Sequence, residues 1–241
     1  MTIKRVFLAV MFALLALTAW LALYVTPPRE NQGFQAVRLL YLHVPTAILA
    51  YVAFGVTAIA SALWLIPRTR RADWDLLAGA SAEVGVVFTA ITLILGALWG
   101  KPTWGVWWAW DARLTTTAIL FFLYLGYLAL RRTGATADER GLRCAVAAII
   151  AFVDVPINYL SVQWWQTLHQ TGTVFNRQLS PKINGSMSTT LMLAFVAFTM
   201  VYGYLVYERF QLAQLEEGRE ERALQEAIAE RLRSEEAVSV G

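Results

Sequence analysis

Six long runs with almost no charge leave this sequence few ways to fold. A hydrocarbon core about 30 Å thick is crossed by about 20 apolar residues in α-helix. Inside it every backbone polar group must be paired without water. Residues 6–25 form such a run, and 39–66 form a longer one interrupted only by His43 near its start. Residues 76–100 carry one acid, Glu83, and 114–130 are a short uncharged run. Residues 144–160 contain Asp154, and 187–207 are uncharged. The expected fold is all-α, a polytopic membrane protein with six transmembrane helices. Composition excludes the alternatives: 58% of residues are hydrophobic and 15% charged, against about 25% charged in a soluble domain. So few charges cannot cover a globule of this size, and a chain this apolar does not stay disordered.

Lysine and arginine set the expected orientation. Fourteen of the twenty lie near both termini and between alternate runs, and six lie in the other connections. Both termini are therefore expected in the cytoplasm, with outward loops at 26–38, 100–113 and 161–186. The first run has a signal-like basic start. It is long for a signal peptide and has no small-x-small site before Thr26, so a retained helix is expected. The expected division is a membrane domain, 1–207, and a cytoplasmic charged helical tail, 208–241. The tail holds nine acids and five arginines, with Leu224, Ile228 and Leu232 four apart. It reads either as a solvated amphipathic helix or as a docking surface for a cytoplasmic partner.

Several functions drop out. The net charge is +3, but the basic residues are scattered, which does not suit nucleic acid. The lone Cys144 excludes an internal disulfide and a paired-cysteine metal site. The C-x-x-C-H pattern of covalent heme attachment is absent, and no phosphate-binding glycine loop equips the chain to hydrolyse ATP. The chain is read as a binding protein rather than an enzyme.

The chemistry is concentrated in the outward loops. Four of the ten tryptophans fall in Trp104-Gly-Val-Trp107-Trp108-Ala-Trp110, followed by Asp111 and Arg113. If this stretch is helical, Trp104, Trp107, Trp108 and Asp111 share one face. Lys101-Pro102 and Thr115–Thr117 then mark breaks from the flanking spans. Such an aromatic plate suits a flat apolar ligand, because stacking and burial grow with shared area; interfacial anchoring alone needs fewer tryptophans. The only two histidines, His43 and His169, lie on the same outward side. Trp165 and His169, four apart, would share a helical face. Two imidazoles are too few for zinc but suit iron in a planar macrocycle, where the porphyrin supplies the other four nitrogens. Glu83, roughly 11 Å from the cytoplasmic side, and Asp154, near mid-depth, are expected to be protonated or paired within the bundle. Pro156 is expected to kink its helix.

The stretch Trp104-Gly-Val-Trp-Trp-Ala-Trp-Asp-Ala-Arg-Leu-Thr115 resembles the tryptophan-rich "WWD" signature of heme-handling proteins in cytochrome c biogenesis. Length and span number make the chain similar to the CcmC family of heme-delivery proteins. Further matches are Leu42-His-Val-Pro45, Asp154-Val-Pro-Ile-Asn-Tyr159, Trp164-Trp-Gln-Thr-Leu-His-Gln170 and Pro181-Lys-Ile-Asn-Gly-Ser-Met187. They span about residues 35–207; the tail carries no recognised motif, and nothing is transferred to it.

This resemblance implies that His43 and His169 are axial ligands of heme b, with the Trp104–Asp111 loop on the porphyrin. It implies a bacterial inner-membrane location with the heme site on the periplasmic side. The implied partners are CcmA, CcmB and CcmD, together with CcmE, the periplasmic chaperone that captures heme covalently through its own histidine. ATP hydrolysis in the transporter then releases the complex. Arg113, Lys101 and Arg177 are candidates for the heme propionates, and Asp111 for orienting Arg113 or a ligand histidine. Two other functions compete: a permease with a polar path past Glu83, Asp154 and Asn158, and a b-type electron carrier.

Overall fold

Apolar helices without a membrane-soluble alternative must pack on one another through whichever faces let their backbones approach. In the computed structural model, which describes residues 2–30, 33–133, 136–169 and 185–239, six helical segments are long and apolar enough to cross a membrane. They are built from α1 (Thr2–Trp20), α2 (Leu40–Leu65), α3 (Ala72–Trp104), α4 (Ala112–Arg131), α5 (Ala137–Phe152) with α6 (Asp154–Trp164), and α7 (Gly185–Ser239). A π-type turn, Leu21–Val25, extends α1, and a 3-10 turn, Gln35–Leu39, leads into α2. No strand occurs among the described residues beyond an isolated bridge between Arg29 and Phe34.

The closest pairing is α2 on α3. Small residues allow it: Ala50, Ala53, Thr57 and Ala60 face Ala78, Ser81 and Ala82, all buried. A Cβ on Gly85 would come within 2.6 Å of the Phe54 ring. Close backbone approach of this kind is how membrane helices gain dispersion contacts without a hydrophobic driving force. Phe54 in turn stacks on Tyr124 of α4 at 3.7 Å between ring centres. The Ser81 hydroxyl donates to the Ala53 carbonyl at 2.8 Å and lies 2.8 Å from the Tyr202 hydroxyl, tying α2, α3 and α7.

The fifth crossing is broken. The chain leaves helix at Val153, between α5 and α6. Pro156 explains this: it has no N–H for the Phe152 carbonyl, and its ring crowds that oxygen.

One end of the bundle is sewn by ion pairs. The Arg131 guanidinium donates two hydrogen bonds to Asp75, at 2.7 and 3.0 Å. Arg140 pairs with Glu217 at 2.8 Å, Arg209 with Glu83 at 2.5 Å, and Lys4 with Glu208 at 2.7 Å. Glu83 is thus paired, with a residue on α7. Asp154 differs: its Oδ2 is buried and has no hydrogen-bond partner among the described residues. Position 207, where the composition changes, is no break, since α7 runs through it as one 55-residue helix. At 1.5 Å per residue that is about 80 Å, so its last turns project past the ion pairs, and Leu224, Ile228 and Leu232 stand exposed.

Candidate functional site

The opposite end carries the histidines. His43 sits in the first turns of α2, and its imidazole is framed by one face of α3. The Thr92 carbonyl lies 3.0 Å from Nδ1; a carbonyl only accepts, so Nδ1 carries the proton and Nε2 keeps its lone pair. One turn on, Gly96 leaves room: a Cβ there would sit 3.1 Å from His43 Cε1. Trp99 meets the ring edge-on at 6.0 Å. Thr92, Gly96 and Trp99 thus surround His43 and join the candidate site, though the sequence alone did not single them out. Their i, i+4, i+7 spacing along the C-terminal half of α3 was the available signal.

His169 reaches the same place from irregular backbone. Its ring centre lies 6.4 Å from that of His43, the planes tilted by 30°. Trp104, the last residue of α3, meets His169 edge-on at 6.2 Å. Four rings from three segments, His43, Trp99, Trp104 and His169, therefore converge. Trp99 packs in turn on a buried apolar cluster that includes Val37, Leu40, Tyr41, Met187 and Leu191.

The tryptophan loop is not a helix, which corrects the single aromatic face. α3 runs through Lys101-Pro102 and ends at Gly105, whose φ of +80° stops it while its N–H bonds the Lys101 carbonyl at 3.0 Å. A left-handed glycine is the common helix terminator. Irregular chain follows to Asp111, and α4 begins at Ala112, so Thr115–Thr117 lie inside a helix rather than at a break. Trp107 and Trp110 point outward, 56% and 81% exposed. Trp108 is partly buried against Trp110, and its Nε1 is buried without a hydrogen-bond partner among the described residues. Trp165 and His169 do not share a helical face either, because α6 stops at Trp164 and Trp165 is extended and half exposed.

Asp111 and Arg113 brace this loop. Asp111 caps α4, its Oδ1 accepting the Leu114 N–H at 2.9 Å, and its Oδ2 accepts the Leu168 N–H at 2.9 Å. It therefore reaches the histidine through the backbone beside it. Arg113 turns toward α6, its Nη1 donating to the Asn158 and Tyr159 carbonyls at 2.7 and 3.2 Å. Asn158, fully buried, returns hydrogen bonds to the Arg113 carbonyl and the Thr116 and Thr117 hydroxyls, and accepts one from Tyr51. Lys101 Nζ donates to the Gly105 carbonyl at 2.9 Å. Arg177, Gln170 and the 181–184 part of the Pro181–Met187 motif lie outside the described residues. No cluster of three or more His, Cys, Asp or Glu fit to hold a metal ion occurs among the described residues. What the arrangement offers is two imidazoles on facing segments, inside an aromatic rim.

The family profile for CcmC, heme exporter protein C, matches residues 1–225. The chain is similar to heme exporter protein C of Haemophilus influenzae, 38% identical over 190 residues, 79% of this chain and 76% of that protein. It is 36% identical over 200 residues to the ccmC-like mitochondrial protein of cytochrome c biosynthesis from Marchantia polymorpha, 83% of each chain. To heme exporter protein C of Escherichia coli K12 it is 35% identical over 180 residues, 75% of this chain and 73% of that protein. With five of the six membrane-spanning segments, most of the sixth and the paired histidines inside the matched residues, the chain belongs to the heme exporter protein C (CcmC) family.

Proposed function

We propose that this chain grips one heme b at the outward end of its helix bundle, between His43 and His169, and hands it to the periplasmic chaperone CcmE. The observation that carries this reading is the imidazole pair. A metal–imidazole bond of about 2 Å on each side, with about 1 Å from nitrogen to ring centre, calls for centres about 6 Å apart. The observed separation is 6.4 Å, and the His43 tautomer leaves Nε2 free to bind. The names of the relatives, heme exporter protein C, support heme as the cargo.

Each residue then has a task. His43, on a helix, fixes the iron, and His169 closes the second axial position. Trp104 and Trp99 wall the pair, while the exposed Trp107, Trp110 and Trp165 offer a rim to the porphyrin and to an incoming chaperone. Trp108 Nε1, a buried donor without a partner among the described residues, suits an anionic edge of the cargo. Arg113 braces α4 on α6. The chain supplies no nucleophile; orienting a vinyl edge toward the chaperone's histidine lowers the barrier by positioning alone. The site faces the periplasm of a bacterial inner membrane, and CcmA, CcmB and CcmD complete the complex. A permease path is poorly served, because Glu83 is ion-paired to Arg209 and Asn158 is saturated by its neighbours, which leaves Asp154 alone to line it.

The test is the absorption spectrum of the purified, heme-loaded protein. The parent is expected to show low-spin six-coordinate bands, lost in both His43→Ala and His169→Ala. A parent spectrum that persists in either variant refutes the ligation.

A further inference from the structure

The two histidines are held in unequal ways. His43 belongs to a continuous helix, whereas His169 follows the end of α6 by five residues, in backbone without regular structure. The Trp165 N–H still bonds the Ser161 carbonyl at 3.0 Å, and farther along a hydrogen bond ties the segment to the start of α4. It is the Leu168 N–H donated to Asp111 Oδ2 at 2.9 Å. The Thr167 hydroxyl donates to the His169 carbonyl at 2.9 Å, which stiffens the turn locally.

We propose that Asp111 is the positioning residue for His169: one carboxylate that caps α4 with Oδ1 and holds the histidine's own peptide segment with Oδ2. The inference rests on the heme reading above and extends it to how the second ligand is kept in reach. A carboxylate is needed because both partners are N–H donors and each takes a different oxygen. Its place at the N-terminus of α4 favours the negative charge that makes both bonds strong. Asp111 thereby couples the tryptophan loop, which it ends, to the ligand histidine, so the rim and the second axial position move together.

Two substitutions separate this role from helix capping. Asn and Ser cap a helix about as well as Asp, so α4 survives in Asp111→Asn and Asp111→Ser. Asparagine has one acceptor oxygen and turns an amide donor toward the other N–H, and serine is too short to span both. Amide hydrogen exchange on the protein without heme reads the tie directly. Leu168 is expected to exchange at least tenfold faster in both variants, with Leu114 still protected. After heme loading, the variants are expected to shift from the six-coordinate low-spin spectrum toward the five-coordinate one of His169→Ala, and added imidazole restores the low-spin bands in all three. Unchanged Leu168 exchange overturns the tie, whatever the spectrum. Faster exchange with a fully six-coordinate spectrum overturns the positioning role. A parent that lacks the low-spin spectrum overturns the heme reading itself, and this one with it, and is told apart by that parent measurement.

Discussion

Replacing Arg131 with Met tests the ion-paired end of the bundle. Its guanidinium donates to both oxygens of Asp75, at 2.7 and 3.0 Å, and the two side chains are 14% and 8% exposed. Breaking a buried pair by removing one partner costs about 3–5 kcal/mol, because the remaining charge stays desolvated and alone. Here Arg140 lies 3.5 Å from the same carboxylate, but it is also held by Glu217 at 2.8 Å. The residual attraction puts the expected loss at the lower end, about 3 kcal/mol. For a chain of this size that is a fall in Tm of ~6–12 °C, measured by thermal unfolding in detergent micelles. Removing both charges, in Asp75→Leu with Arg131→Met, leaves no stranded ion and is expected to recover at least half of the loss. The reasoning fails if the single variant melts within 1 °C of the parent, or if the double variant is less stable than the single.

Two further outcomes concern α3 and α7. Gly96→Val places branched carbon where a Cβ alone comes within 3.1 Å of His43 Cε1; overpacking of about 1–3 kcal/mol is expected to push the imidazole off the Thr92 carbonyl, and the heme spectrum then loses its six-coordinate form, whereas an unchanged spectrum removes α3 from the site. Truncation after Gly218 keeps Glu208, Arg209, Glu216 and Glu217 with their partners and deletes an exposed helix. It is expected to change stability by under about 0.5 kcal/mol, and a larger drop in Tm shows that the projecting turns pack on the bundle.

The spans were legible because bilayer thickness sets a length and hydropathy sets a composition, and both are read one residue after another. The histidines were legible as candidates by scarcity, two in the whole chain on one side of it. The shape of the tryptophan loop was not. Its three- and four-residue spacing allowed a helix, but Gly105 ended α3 first and Asp111 began α4, and the spacing is silent on which of these wins. Thr92, Gly96 and Trp99 stayed hidden for another reason: a threonine, a glycine and a tryptophan in an apolar span are ordinary until the partner helix is known.

What the sequence by itself determined, then, is an all-helical membrane chain with its unusual aromatic and imidazole groups on one side. Hydrophobic length, charge placement and residue scarcity are one-dimensional properties. Tertiary packing alone decided that His43 and His169 meet, that Asp111 reaches Leu168 and that Arg113 turns to α6. Each of those contacts joins segments distant in the chain, and only the mutual packing of the helices brings such segments within the few ångströms over which hydrogen bonds and ring contacts act.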